Sequence, residues 1–183
     1  MPDLLLITGP NGAGKTTFAR EFLTSDLKGL RFLNADELAR GLSPFDPPSV
    51  AFKAGRLLLS EADELITKGY DFALESTLSG KGHVPLLKRA ISSGYRVTLH
   101  FLWLPSAKES IARVKQRVRK GGHDVPVADI RRRYPRLLRN LVELYLPLAH
   151  EWYFWNSQSL PPVPLANSGT HAIADVNGFL RSQ

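Results

Sequence analysis

Apolar positions along the 183-residue chain fall into two kinds of segment, short continuous runs and longer stretches with helical spacing. Residues 4–7 form an apolar run of strand length, and residues 16–23 read as a helix with Phe18, Phe22 and Leu23 available to a core. A second short strand covers residues 31–33 and ends in Asn34-Ala35-Asp36-Glu37, with a short helix beginning at Glu37. The turn residues of 41–48, GLSPFDPP, predict a loop. A long helix follows over about 50–68, with Leu57, Leu58, Ala62, Leu65 and Ile66 on or near one face, and Gly69 fits its C-cap. Residues 72–75 are a third strand, 76–80 a small-residue loop and 84–92 a helix. Residues 96–104 make the strongest strand pattern, rich in β-branched and aromatic side chains. A helix over 107–120 is broken by residues 121–126, and another runs over about 127–149 with a kink or break at Pro135. Residues 152–155 and 163–166 form a final strand or an irregular pair, and 170–181 the last helix.

Strands alternating with helices predict an α/β protein with a parallel sheet covered on both faces. At this length one domain, residues 1–183, is expected, and no repeat or linker divides it. Ligands of such sheets sit beyond the carboxyl ends of the strands. Three of those ends carry chemistry here: residues 9–14, Asp36 and Glu75.

The first of these is Gly9-Pro10-Asn11-Gly12-Ala13-Gly14-Lys15-Thr16-Thr17, which fits G-x-x-x-x-G-K-[ST] between a strand and a helix. Glycines let successive backbone N–H groups turn inward around a phosphate, and the helix N-terminus adds unpaired N–H groups and a positive dipole end. Residues 9, 11–14 and 15–17 are therefore assigned to ATP phosphates, with Lys15 reaching the outer phosphates and the Thr16 hydroxyl helping to hold Mg²⁺. The expected fold is accordingly of the P-loop NTPase type.

Composition narrows the partners. Hydrophobic content of 43% and charged content of 22% are ordinary for a globular protein. No apolar stretch reaches membrane-span length, and Met1-Pro2-Asp3 leads straight into the first strand, so no membrane association and a cytoplasmic location are expected. The absence of cysteine excludes disulfides, thiolate catalysis and Cys-ligated zinc. The net charge of +7 is localised: residues 113–139 carry +8 and the rest of the chain −1. This segment, Gly-hinged at Gly121-Gly122, reads as a lid that brings arginines to a transferred phosphoryl group, or else as a solvated basic face. Arg113 and Arg117 share a helix face by their spacing.

The remaining candidates keep two readings each. Asp36 is a base for a substrate hydroxyl or the N-cap of the helix at Glu37. Glu75 holds substrate hydroxyls or a metal-bound water, or is a strand-end acid paired with a base. Thr77 and Ser79 offer hydroxyls or serve as turn residues. His123 is a phosphate donor or an ordinary loop histidine. Residues 152–155, WYFW, stack on adenine or pack internally. A strand ending in an Mg²⁺-binding aspartate is missing, which leaves Asp36, Glu75, or Thr16 with the phosphates to supply that coordination.

Four blocks together carry a resemblance: GPNGAGKTT at 9–17, FLNADELARGLSPF at 32–45, FALESTLSG at 72–80 and RVRKGGHDVPVADIRRRYPRLLRNL at 117–141. In these blocks the chain resembles the zeta toxin family of P-loop kinases, particularly its short chromosomal members. The resemblance implies an ATP-dependent kinase that phosphorylates a sugar hydroxyl of UDP-N-acetylglucosamine, a product that poisons peptidoglycan precursor supply. It implies Asp36 as catalytic base, Lys15 and Thr16 as phosphate and Mg²⁺ contacts, and Glu75 and Thr77 as lining of the sugar-nucleotide pocket. Arg113 matches the first of two arginines on the ATP phosphates. The position of the second falls on His123, which departs from the family pattern and leaves Arg117 or one of Arg131–Arg133 for that duty. With no domain ahead of the first strand, an inhibitory antitoxin is expected as a separate chain. Two other functions compete: a polynucleotide or other hydroxyl kinase, against which the lack of a second basic cluster counts, and an ATP-controlled regulatory module without phosphotransfer.

Overall fold

The structure, a computed structural model, describes residues 1–22 and 30–181, with the side chains of Phe22 and Arg181 excluded. Six strands form one sheet in the order β2-β3-β1-β4-β5-β6. They are β1 (Asp3–Thr8), β2 (Arg31–Leu33), β3 (Phe72–Ser76), β4 (Arg96–Trp103), β5 (Glu151–Asn156) and β6 (Val163–Asn167). The first five in chain order run parallel, and β6 returns antiparallel along β5. The helices are α1 (Lys15–Phe22), α2 (Ala35–Leu42), α3 (Ala51–Lys68), α4 (His83–Ser92), α5 (Ala107–Arg119), α6 (Val127–Asn140) and α7 (Ile173–Arg181). The expected helix over 16–23 is seen as α1. The proposed core role of Leu23 falls outside the described residues, as does that of the Phe22 side chain.

Alternation along the strands divides the core between the two faces of the sheet. Leu4, Leu6, Phe72, Leu74, Leu99 and Phe101 pack on one face with Leu58, Leu65 and Leu87 of α3 and α4. Ile7 and Leu102 pack on the other face with Phe18 and Ala19 of α1. Gly69 ends α3 in the left-handed conformation, its N–H reaching the carbonyls of Leu65 and Ile66. Leu57 departs from the expected face: it is 42% exposed, while Leu58 and Leu65 are buried.

Two late segments differ from the sequence expectation. Helix α6 continues unbroken through Pro135 to Asn140, and the helix type changes later, to a π-type turn over Leu141–Tyr145 and a 3₁₀ turn over Leu146–Leu148. Proline removes one backbone hydrogen bond, but the apolar face carrying Ile130 and Leu137 remains buried and holds the helix together. The π-type turn is secured from its sides, by Asn140 Nδ2 donating to the Leu78 carbonyl at 2.8 Å and Tyr145 OH donating to the Gly80 carbonyl at 2.8 Å. Burial pushes the Tyr145 phenol pKa up to about 12. The aromatic run takes the packing alternative. Trp152 and Phe154 enter the larger core. Trp155 packs against Phe18 at 5.3 Å between ring centres and donates to His100 Nδ1 at 3.2 Å. Among the described residues no helix is long and apolar enough to cross a membrane.

Candidate functional site

The loop between β1 and α1 is fixed by its carbonyl groups. Ser110 on α5 donates to the Asn11 carbonyl, and Ser157 after β5 donates to the Ala13 carbonyl at 2.9 Å. The Pro10 carbonyl accepts from Ala13 N–H at 3.2 Å and from Lys15 Nζ at 3.2 Å. With these carbonyls engaged, the loop is set in one conformation, and Gly12 and Gly14 line an open cleft. Gly12 has φ +81°, and a Cβ there would come within 2.7 Å of Arg113 Cβ, so the close approach of α5 to the loop requires glycine.

Glu75 is the hub below the loop. It lies near the end of β3, opposite Ile7 of β1. Its Oε2 accepts from the Thr16 hydroxyl at 2.8 Å and from Asn34 Nδ2 at 2.8 Å, and Oε1 lies 3.8 Å from Lys15 Nζ. The ammonium of that pair is buried and the carboxylate is nearly so. Burial holds the Lys15 ammonium below the ordinary lysine range, opposed by the Glu75 and Asp36 carboxylates, while Arg117 adds to the lowering. Of the two acids proposed to replace the missing strand-end aspartate, Glu75 is the one bonded to Thr16.

Asn34, and not Asp36, caps the helix after β2. Its side-chain oxygen accepts from the N–H groups of Asp36 at 2.8 Å and Glu37 at 3.2 Å, so α2 starts at Ala35, two residues earlier than expected. Asparagine and aspartate are equally good caps, and the residue adjoining the strand took the position. The Asp36 carboxylate has no capping duty. It lines a cleft of about 440 Å³ together with Lys15, Thr16, Glu75, Thr77 and Arg117. Thr77 Oγ1 meets Ser79 Oγ at 3.1 Å, and Ser76 Oγ lies 3.4 Å from His83 Nδ1. Burial lowers the His83 pKa. His123 lines this same cleft, which also takes in Asn11 and Gly12 of the glycine loop.

The arginines differ in their partners. Arg113 is turned away from the Asp36 cleft: Nη2 donates to the carbonyls of Ser157, at 3.0 Å, and Gln158, and Nε lies 3.5 Å from Glu109. Arg117 lies beneath Gly122, where a Cβ would come within 2.5 Å of its Cγ. Its Nε and Nη2 are buried without a hydrogen-bond partner. Burial lowers its pKa, opposed first by Asp36. The residue as a whole is half-buried, so these two donors are out of water without an acceptor, an arrangement that costs free energy. Arg132 and Arg133 pair with Asp129 at 2.6 and 3.5 Å, and Arg133 also lines the Asp36 cleft.

A second cleft of about 670 Å³ lies on the far side of Lys15, lined by Gly12, Gly14, Thr17, Arg20, Arg113 and Lys120. Lys15, Thr16, Glu75 and Arg117 line both clefts. The sequence reading missed Asn34, Ser110 and Ser157, whose partners lie far away in the chain, and the α3 residues Phe52 and Arg56 that wall the smaller cleft.

Comparison with known proteins agrees with this geometry. The profile of an AAA domain family, AAA_33, matches residues 4–136. An uncharacterized protein of Haemophilus influenzae is 30% identical over 126 residues, 69% of this chain and 88% of that protein. Among solved structures, the fold is similar to one from the PezAT chromosomal toxin–antitoxin system of Streptococcus pneumoniae, with a TM-score of 0.69, 20% identity, and coverage of 98% of this chain and 78% of that one. A chain of the AvrRxo1-ORF1:-ORF2 complex with ATP gives a TM-score of 0.74 at 18% identity over 99% of this chain, which spans only 63% of that chain. Shikimate kinase from Acinetobacter baumannii gives 0.51 at 19% identity, covering 100% of this chain and 92% of that one. These likenesses place the sheet and its helices among P-loop NTPase-like kinase folds. With about three quarters of its length matched by one profile, the chain belongs to the AAA_33 AAA domain family.

Proposed function

We propose that the protein is an ATP-dependent kinase that transfers the γ-phosphate to a sugar hydroxyl of UDP-N-acetylglucosamine or a related nucleotide sugar. The observation that carries the reading is the meeting of two clefts over Lys15, Thr16, Glu75 and Arg117. A donor held on the glycine loop and an acceptor beside Asp36 would meet at the buried Lys15 and the half-buried Arg117. The nucleotide-sugar acceptor comes from the resemblance to zeta toxins, and the PezAT likeness supports it at the level of fold.

In this mechanism Asp36 takes the proton of the acceptor hydroxyl as its oxygen forms a bond to the γ-phosphorus. The bond from that phosphorus to the β–γ bridging oxygen breaks, and ADP leaves. Lys15 and Arg117 hold the charge on the transferred group in a water-poor site. The residues also suit Mg²⁺: Thr16 Oγ1 and the Glu75 carboxylate present hard oxygens beside each other. Among the described residues no three His, Asp or Glu side chains converge as a cage. That donor set fits an ion that keeps waters and phosphate oxygens as most of its ligands. When bound, the ion would neutralise phosphate charge. Thr16 and Glu75 would hold it, and Asn34 would orient Glu75.

Incubation with labelled ATP and a panel of nucleotide sugars tests the proposal, with phosphorylated UDP-N-acetylglucosamine as the expected product. Asp36→Asn should lower transfer by about 10²–10⁴-fold while leaving ATP binding in place. Undiminished turnover in that variant would remove the base from the mechanism. We propose further that inhibition, where it occurs, comes from a separate antitoxin chain. Growth arrest caused by this protein should then disappear in Lys15→Ala and on co-expression of that partner. The polynucleotide reading would use the exposed Lys115, Arg119, Lys120, Arg131, Arg136 and Arg139 of the basic segment, and it predicts oligonucleotide affinity that falls steeply with ionic strength.

A further inference from the structure

Helix α3 turns one face toward the smaller cleft, and the transfer chemistry leaves that face unused. Phe52, Gly55, Arg56 and Leu59 all line the cleft. Phe52 is 80% exposed, a whole aromatic ring left in water on a helix that buries Leu58 and Leu65 on its other side. Arg56 stands one turn further along, its guanidinium carbon 5.2 Å from the centre of the Phe52 ring. Among the described residues no carboxylate pairs with Arg56.

Gly55, between them, is the least favourable residue short of proline for a helix interior. No packing contact explains it, because a Cβ at this position would meet no atom within 4 Å. The mid-helix glycine costs helix stability, and the exposed ring and the arginine beside it gain little from the fold in return. All three share one face of one cleft. Their common explanation is a ligand that is absent when the helix is considered alone.

We propose that this face of α3 is a subsite for the part of the acceptor remote from the reacting hydroxyl, and that this part is a planar ring joined to an anionic group. The ring stacks on the open face of Phe52, where a flat π-surface gains from contact with any aromatic base. The anionic group lies within reach of Arg56, whose cation is already held beside the ring. The missing side chain at Gly55 lets the ligand approach the helix backbone between the two. The inference rests on the reading of this cleft as the acceptor side. It adds the residues that would select a nucleotide-linked acceptor over a bare sugar.

The test uses uridine diphosphate as probe, titrated calorimetrically into protein whose larger cleft is saturated with a non-hydrolysable ATP analogue. Phe52→Leu and Arg56→Gln should each weaken uridine diphosphate binding by about tenfold, in line with one lost stacking or charge-assisted contact. Gly55→Ala is the sharper variant. It should raise the thermal midpoint, because alanine favours the helix, and at the same time weaken the probe by about tenfold. A purely structural role would move stability and binding together. Failure of uridine diphosphate to bind the wild-type protein, or equal binding to all three variants, overturns the inference. A second assay separates this failure from that of the kinase reading. If probe binding depends on the three residues but no nucleotide sugar accepts phosphate, the subsite stands and the reaction falls. If UDP-N-acetylglucosamine is phosphorylated with unchanged KM in all three variants, the reaction stands and the subsite falls.

Discussion

The two clefts that meet at Lys15 are built in opposite ways. On the glycine-loop side, polar groups are tied to the scaffold: the carbonyls of Pro10, Asn11 and Ala13 each have a donor, and Glu75 has two hydrogen bonds and a buried ammonium. On the α3 side, Phe52 and Arg56 are exposed, and Asp36 offers a carboxylate with no capping bond. A rigid frame suits a phosphate chain, because fixed dipoles need no reorganisation when charge develops. An open wall suits the partner that distinguishes one kinase from another. On the proposed reading, the fixed chemistry and the choice of acceptor are separated in space, with Arg117 lining both clefts.

The largest way to break this comparison is at Lys15. Lys15→Met should abolish nucleotide binding and lower transfer by at least about 10²-fold, since a preorganised cation at the transferred group is lost. The apo protein should keep or raise its thermal midpoint. Burial already disfavours the charged ammonium, and Glu75 retains the hydrogen bonds from Thr16 and Asn34. A variant that loses activity because its apo form unfolds would show that the buried pair serves the fold and not the site.

This difference also decides what could be read in the sequence. The glycine loop was legible because its chemistry lies in nine consecutive residues with a fixed strand and helix on either side. The sheet was legible from alternation of apolar runs, and even the short β2 was placed correctly. What holds the loop was not legible. Ser110 and Ser157 act across 99 and 144 residues, and serine in a helix or after a strand carries no signal of its own. The helical spacing of Arg113 and Arg117 put both on one face, and both line the larger cleft, but their different partners were not legible. Gly12 lets Arg113 lie against the loop on its way to the Ser157 carbonyl, and Gly122 covers Arg117. The wall of the smaller cleft was hidden for another reason. Phe52 and Arg56 look like surface positions of an amphipathic helix until α2 and the 76–80 loop close the space in front of them.

The residue lining both clefts offers a middle-sized test. Arg117→Ala should lower kcat by about 10²-fold, the magnitude associated with one aimed donor at developing charge. Lysine at this position should restore only part of the rate, because a point charge does not reproduce the planar fork. Arg136→Ala, on the exposed side of α6, should leave kcat unchanged and stability within about 0.5 kcal/mol. Equal effects from the two alanine variants would mean that the basic segment acts through its overall field, and the separation of one half-buried arginine from the surface charges would be lost.

The smallest effect is at His83, and it probes whether the open side has a fixed element of its own. Ser76 Oγ accepts from Leu78 N–H at 3.1 Å, which leaves its hydrogen free for His83 Nδ1. This contact and the burial of the ring both favour the neutral imidazole, and burial places the His83 pKa below the ordinary histidine value. The sign follows from proton binding. As pH falls through about 6.5, the unfolded chain takes up a proton that the native state does not accept until lower pH. Stability from this residue is therefore complete above that range and declines on acidification. The thermal midpoint should drop between pH 7.5 and pH 5.5, and His83→Gln should make that drop smaller by a few degrees, on the order of 2–4 °C for each kcal/mol in a chain of this size. If the two proteins lose stability in parallel, the imidazole carries no penalty for protonation. The wall opposite Asp36 would then be as adaptable as the α3 face, with no rigid point against which an acceptor sugar is aligned.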